Sequence, residues 1–232
     1  MTWVAIAAAA IVFAGFAPTY YLKVWFGTPP LPWLVHLHGA LMTSWLLMFL
    51  IQVQLVGSGR TAWHRRLGVA GALLAVLIVI LATTVAIRWA ARESVQPTGE
   101  GPPPLWFMGF LLYALLVYAV LVGAALLLRK KRAYHKRLML LSCIALVGPG
   151  VVRLPLTSLP MLDYFVRGGP GGILGLDLLP LYVCVVYDTW RNRRLHPAFL
   201  WGGLLLLSVD LPLIGWFLQS EVWTRAATWL TT

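Results

Sequence analysis

The residues of this sequence with the most capacity for chemistry are polar and titratable side chains within or beside long apolar segments. Such groups are costly at membrane depth, so each is a functional candidate by default. A helical rise of about 1.5 Å per residue places them in two layers. The outer layer contains His36, His38, Arg153, Asp177 and Asp210. The inner layer contains His64, His135, His196, Gln52, Gln54 and Asp188.

His36 and His38 stand two residues apart at the outer start of one apolar segment. Two positions along a helix rotate a side chain by about 200°, so the two imidazoles cannot bind one metal together on a regular helix. At most one of them points into a bundle, and the sequence leaves open which one. His38 shares a helical stripe with Trp45 and Gln52. An interfacial or hydrogen-bonded role is the alternative to ligation for each histidine.

Arg153 is the charged residue that most needs a partner. An arginine at membrane depth is expected to pair with a carboxylate, and Asp177 or Asp210 lies at a compatible depth. This buried ion pair would either fix the packing of the surrounding helices or form part of a substrate or ion site. Asp188 stands near the inner end of its segment beside Arg191, and we expect it to be an interfacial residue.

Composition sets the class of the protein. Of the 232 residues, 60% are hydrophobic and only 11% are charged, and the mean hydropathy is +0.83. A soluble domain carries roughly a quarter charged residues. The composition therefore excludes a cytosolic enzyme and a disordered chain. The net charge of +11 does not indicate nucleic-acid binding, because the basic residues occur in short runs between apolar segments.

Seven windows are apolar enough to be spanning helices, which need about 20 residues each. They cover residues 3–21, 33–56, 67–89, 105–128, 138–154, 173–190 and 198–217. The fifth and sixth windows are short, and Gly148-Pro149-Gly150 loosens the fifth. Their interiors lack the alternation typical of barrel strands. We therefore predict an all-α polytopic bundle of seven transmembrane helices that forms a single domain, residues 1–232.

The connections between these windows predict the orientation. The loops between spans two and three, four and five, and six and seven hold 12 of the 18 Lys and Arg residues and no acidic residue. Basic loops stay in the cytoplasm, so the N-terminus is expected inside and the C-terminus outside the bacterial inner membrane. The same basic clusters would also attract anionic lipid headgroups.

Two stretches carry a resemblance to known proteins: HLHGALMTSWLLMFLIQVQLVGSGRTAWHRRLG and YHKRLMLLSCIALVGPGVVRL. They resemble uncharacterised bacterial polytopic membrane proteins with histidine-bearing spans, and are distantly similar to the cytochrome b561-like proteins, whose four-helix arrangement holds two haems. The resemblance covers spans two to five, about half of the chain.

The cytochrome resemblance implies that His64 and His135 jointly ligate one haem b near the cytoplasmic surface. The basic neighbours of the two histidines, Arg65, Arg66, Lys136 and Arg137, would then meet the haem propionates. The alternative is that each histidine only bonds headgroups or carbonyls at a loop-to-helix junction. The outer haem site departs from the family pattern, because span four has no histidine to complement His36 or His38 and offers only Met108. A single haem is therefore expected.

Three functions remain open from the sequence. The first is a redox or electron-transfer component that binds haem b or a metal through His64 and His135. The second is a non-catalytic accessory subunit of a larger membrane complex. The third is a small transporter or sensor that uses Arg153, Asp177 and Asp210. The lipid bilayer would be the partner in all three cases, and other subunits would be partners in the second case.

The sequence has no CxxCH, HExxH, P-loop or GxSxG motif, so no common catalytic motif identifies it as an enzyme.

Overall fold

The computed structural model describes residues 2–97, 102–151, 153–154 and 178–232. Regular secondary structure in these residues is helical, without a strand. The first five helices are α1 (Thr2–Phe16), α2 (Trp33–Gly57), α3 (Thr61–Val95), α4 (Pro104–Leu127) and α5 (Arg132–Ile144). They are followed by α6 (Gly148–Val151), α7 (Leu179–Asn192), α8 (Pro197–Leu207), α9 (Pro212–Phe217) and α10 (Glu221–Thr231).

Four helices in the described part of the chain are long and apolar enough to cross a membrane: Trp3–Tyr21, Trp33–Gly57, Thr61–Val95 and Pro104–Leu127. The first of these is α1 with a wide helical turn, Ala17–Tyr21, added at its end. These helices confirm the first four predicted windows as apolar helices of spanning length. An all-α membrane protein is therefore the class that the structure supports.

The last three predicted windows are not continuous spanning helices in the described residues. The fifth is divided into α5, which ends at Ile144, and α6, which begins at Gly148 with Pro149 in its first turn, where a helix tolerates proline. The seventh is divided ahead of Pro212, where Leu211 takes the extended conformation typical of a residue before proline. The sixth appears as α7, a helix of 14 residues, and the first part of its window lies outside the described residues.

Helix α3 is longer than a bilayer requires. Its 35 residues correspond to a length of roughly 50 Å, against an apolar bilayer core of about 30 Å. The helix therefore extends beyond the hydrocarbon region, and its first turns, which carry His64, Arg65 and Arg66, lie near the end of the bundle. Large apolar side chains remain exposed along its middle, among them Leu73 and Ile80, as expected for a surface that faces lipid.

The helices approach closely at glycine. A Cβ atom at Gly15 of α1 would overlap the backbone carbonyl of Gly150 in α6, and a Cβ at Gly202 of α8 would stand 2.6 Å from Leu141 of α5. Small residues at such crossings let helix backbones pack in a membrane without a hydrophobic driving force. These crossings pack the shorter helices α6 and α8 against the longer ones.

Candidate histidine site

The structure brings His64 and His135 together, as the sequence predicts for a ligand pair. Their ring centroids are 6.2 Å apart and the ring planes meet at 76°. Each histidine is the fourth residue of its helix, α3 for His64 and α5 for His135. A tight turn before α3, with Gly59 at φ 75°, and a short connection after α4 place the two helix starts at the same end of the bundle.

His135 has a defined tautomer in this arrangement. Its Nδ1 lies 2.8 Å from the carbonyl oxygen of Ala125, in the last turn of α4. Carbonyl groups in a last helical turn lack an intrahelical donor and accept bonds from side chains. Because a carbonyl only accepts, Nδ1 of His135 carries the proton and donates it. In the neutral ring, Nε2 then holds a free lone pair, as a metal ligand must.

His64 has a polar atom without a partner. Its Nδ1 is buried, and no described residue forms a hydrogen bond with it. A buried polar group left unpaired costs about 1–3 kcal/mol. A hydrogen-bond acceptor at Nδ1 would remove this cost.

The spacing of the two rings matches that of two imidazoles on one metal. Metal–nitrogen bonds of about 2.0–2.1 Å on opposite sides of an ion put the ring centroids roughly 6 Å apart. The observed separation is 6.2 Å. The centroid separation is thus compatible with two imidazoles on one ion.

The number of ligands distinguishes between cofactors. No group of three or more His, Cys, Asp or Glu side chains that could hold an ion occurs in the described parts of the chain. A structural zinc ion takes four protein ligands, whereas haem iron takes four nitrogens from its own macrocycle and needs only axial ligands from the protein. Two imidazoles are the number of protein ligands that haem iron takes.

Basic side chains surround the pair. Arg65, Arg66 and Lys136 are exposed, and the Arg66 guanidinium lies 5.5 Å from the centre of the Trp63 ring. Such groups can bond carboxylates at the protein surface. They are thus placed to meet the anionic substituents of a cofactor or lipid.

Arg137 differs from its basic neighbours, because it forms a buried ion pair with Asp188 of α7. Its Nη2 donates to Asp188 Oδ1 at 2.7 Å, and its Nε donates to Oδ2 at 3.0 Å. The side chains are only 4% and 12% exposed, and Nη1 donates to the Ala133 carbonyl. Arg137 is thus engaged within the protein rather than available to propionates.

Asp188 is therefore paired with Arg137 and not with Arg191, its neighbour in the sequence, while its expected position at the membrane interface stays a prediction. Arg191 donates instead to the hydroxyl of Tyr187. The available signal was that Asp188 is the one acidic residue in the predicted inner layer, where Arg137 also lies. Residues 51 positions apart could not be paired without knowing which helices are neighbours.

The outer histidines differ in burial. His36 is exposed, and its backbone carbonyl accepts a hydrogen bond from the Tyr20 hydroxyl at 3.0 Å. His38 is half-buried, on the stripe that continues to the buried Trp45. Met108 is fully buried in an apolar cluster of α3, α4 and α10 that contains no residue of α2. Ligation by any of the three stays a prediction.

Of the residues in the predicted ion pair, Arg153 and Asp210 are described by the structure. Arg153 donates to the carbonyl of Pro149 at 2.7 Å, and its guanidinium lies 4.6 Å from the centre of the Phe16 ring. Asp177 lies outside the described residues, whereas Asp210 ends the helical turn that follows α8. The pairing of Arg153 with either carboxylate stays a prediction.

His196 has a structural role at the start of α8. Its Nδ1 accepts a hydrogen bond from the backbone N–H of Ala198 at 3.1 Å, which caps the helix. Its ring lies edge-on to Tyr134, with centroids 4.7 Å apart. Burial, followed by the positive charge of Arg137, lowers the pKa of His196, which favours the neutral form that the cap requires.

Some buried polar groups are not apparent from the sequence. Trp45 and Tyr118 are 3% and 0% exposed, their rings are in edge-to-face contact at 5.4 Å, and their polar atoms have no described partner. Oε1 of Gln52 is also buried and unpaired among the described residues. The stripe that joins Trp45 and Gln52 on α2 was the available signal for two of these groups.

Comparisons with known protein families, curated proteins and solved structures found no significant match to this chain.

Proposed function

We propose that the chain is a bacterial inner-membrane electron-transfer component that binds one haem b between His64 and His135. The observation that carries the proposal is the ring pair itself, whose 6.2 Å centroid separation suits two axial imidazoles. In its support, the two histidines come from different helices and occupy the same layer of the bundle.

The residues around the pair have distinct roles in this proposal. His135 offers Nε2, because its Nδ1–H is held by Ala125. His64 offers the second ring, and the exposed Arg65 and Lys136 would bond the propionates. Bound haem would supply one-electron redox chemistry that no side chain of the pair has.

The proposed topology has seven spans, with the N-terminus inside and the C-terminus outside. It rests on the seven apolar windows and on the three basic loops that contain no acidic residue. In this orientation His64 and His135 lie near the cytoplasmic surface. A cytoplasmic donor could then deliver an electron to the edge of the haem, whereas transfer to the outer face would need a second centre.

The experiment is haem titration of the purified protein in mild detergent, with the reduced-minus-oxidised spectrum as readout. We expect b-type bands and saturation at one haem per chain. His64→Ala or His135→Ala should remove most of the bound haem, because each deletes an axial ligand. His196→Ala is the matched control and should leave the spectrum unchanged. A wild-type protein that binds no haem would contradict the proposal and favour the accessory-subunit function.

A further inference from the structure

A ligating histidine needs a hydrogen bond on its other ring nitrogen. Metal-bound imidazoles almost always donate this N–H to a carbonyl, a carboxylate or water, which fixes the tautomer and makes the ligating nitrogen more basic. His135 has such a bond to Ala125. His64 has none from the described residues, although its Nδ1 is buried. A group that completes this bond is missing from the pair.

A second buried polar atom without a partner among the described residues lies on α2, which packs against α3. Oε1 of Gln52 is buried and accepts no hydrogen bond from the described part of the chain. The Gln52 amide lies against α3, since a Cβ atom added at Gly68 would stand 3.8 Å from its Nε2. Gly68 follows His64 by four residues, which is one helical turn on the same face of α3.

We propose that Gln52 is the positioning residue of His64, whose Nδ1 proton it accepts at Oε1 directly or through one water molecule. An amide oxygen only accepts and an imidazole N–H donates, so the two unpaired atoms are chemically complementary. The bond removes the desolvation penalty from both atoms. It also leaves Nε2 of His64 as the ligating nitrogen, as in His135.

Gly68 has a defined part in this arrangement. With no side chain at Gly68, the Gln52 amide can lie along the α3 backbone within reach of the preceding turn. A large side chain there would occupy this space. The purpose of the bond rests on the proposed haem function, but the bond needs no cofactor and can be tested without one.

The chain offers a matched control in Gln54. It has the same side chain, stands two residues along α2 and is exposed. Its position is rotated by about 200° from that of Gln52, so it cannot reach the same face of α3. The variants are Gln52→Met, which removes the acceptor, Gln52→Glu, which keeps an acceptor, and Gln54→Met.

The first arm is nitrogen NMR of cofactor-free protein labelled at histidine, with the His64 signals identified by their loss in His64→Asn. We expect wild-type His64 to carry its proton on Nδ1. Gln52→Met should abolish this preference, whereas Gln52→Glu and Gln54→Met should keep it. A wild-type His64 protonated on Nε2, or equal spectra for Gln52→Met and Gln54→Met, would overturn the proposal. The wild-type spectrum alone can do so if Gln52→Met does not fold.

The second arm measures haem affinity and midpoint potential in the same variants. Loss of a partner that orients a metal ligand typically weakens binding by about 10–100-fold, which we expect for Gln52→Met relative to wild type. The potential should also rise in Gln52→Met, because a less basic imidazole stabilises the ferric state less. Unchanged affinity and potential would overturn the positioning role. If wild-type protein binds no haem, the proposed function fails, and the NMR arm still decides whether Gln52 holds His64.

Discussion

At the scale of single residues, Arg137 and Asp188 form a buried ion pair with several hydrogen bonds. Two guanidinium nitrogens bond the two carboxylate oxygens, and a third bonds the Ala133 carbonyl. The guanidinium also lies 5.8 Å from the centre of the Phe199 ring. Desolvation of two charges is expensive, and geometry of this quality is needed to offset it. The pair thereby joins α5, which carries His135, to α7.

Removal of one partner from this pair should be more damaging than removal of both. We expect Arg137→Met to destabilise the protein by about 3–5 kcal/mol, because Asp188 is left buried and unpaired. The double variant Arg137→Met/Asp188→Leu should recover most of that loss. Thermal unfolding in detergent measures both effects.

The exposed pair Arg225–Glu221 is the matched control for this experiment. Its side chains are 83% and 86% exposed, and the two atoms are 3.3 Å apart. Arg225→Met should change stability by less than about 1 kcal/mol, because water screens the interaction. A double variant at Arg137 and Asp188 that is no more stable than Arg137→Met would show that the pair is not the coupled unit described.

At the scale of elements, α4 carries two tyrosines in contrasting environments. Tyr113 forms a hydrogen bond with Ser208, at the end of α8, with 2.8 Å between the two hydroxyl oxygens. The hydroxyl of Tyr118, more than one turn further along α4, is buried against Trp45 and has no partner among the described residues. The first tyrosine therefore bonds α4 to a neighbouring element, whereas the second contributes only its ring.

Substitution of these tyrosines by phenylalanine separates the two roles. Tyr118→Phe keeps the ring contact and should leave stability unchanged or raise it, because an unpaired buried hydroxyl is removed. Tyr113→Phe should cost about 0.5–1.5 kcal/mol through its lost hydrogen bond. Differential scanning of both variants in the same detergent gives the comparison. A loss in Tyr118→Phe as large as that in Tyr113→Phe would mean that a bound water molecule or ligand satisfies the Tyr118 hydroxyl.

The sequence predicted some elements better than others, for physical reasons. A long uninterrupted apolar run such as α3 can be predicted as a helix of spanning length, because length and composition are sufficient for that prediction. The windows that contain Pro149 and Pro212 were predicted as single spans, although the helix is interrupted in each of them. Apolar composition indicates affinity for lipid, but it does not show where a proline removes a backbone N–H donor.

Prediction of the candidate site divides in a similar way. His64 and His135 were paired from a resemblance, and the structure places their rings in contact. Arg137 and Asp188 could not be paired, because their contact depends on the packing of α5 against α7. The unpaired atoms of Gln52 and His64 could not be predicted either, since the sequence does not show which polar groups lack a partner.

At the scale of the whole molecule, the helices are apolar enough to cross a membrane, and the basic residues are unevenly distributed between their connections. Helices of spanning length expose large apolar side chains, and basic residues cluster in alternate connections. Charge bias of this kind sets orientation when loops are short. The histidine pair lies beside two of the basic connections.

The proposed orientation predicts that single cysteines at Thr98 and Ala133 label from opposite sides of sealed vesicles. Ala133 follows the basic run after α4 and should react from the cytoplasmic side. The native Cys143 and Cys184 are buried, so a charged reagent should not reach them. Labelling of both positions from one side would contradict the seven-span topology, while the haem proposal would still stand on the histidine geometry.

The central claim is that His64 and His135 together hold one haem, and electron paramagnetic resonance of the haem-loaded ferric protein tests it most directly. Two axial imidazoles should give a low-spin spectrum that integrates to one haem per chain. His64→Ala and His135→Ala should each convert any residual signal to high spin, because one axial ligand is lost. The same low-spin spectrum at full haem content in the double variant would contradict the claim.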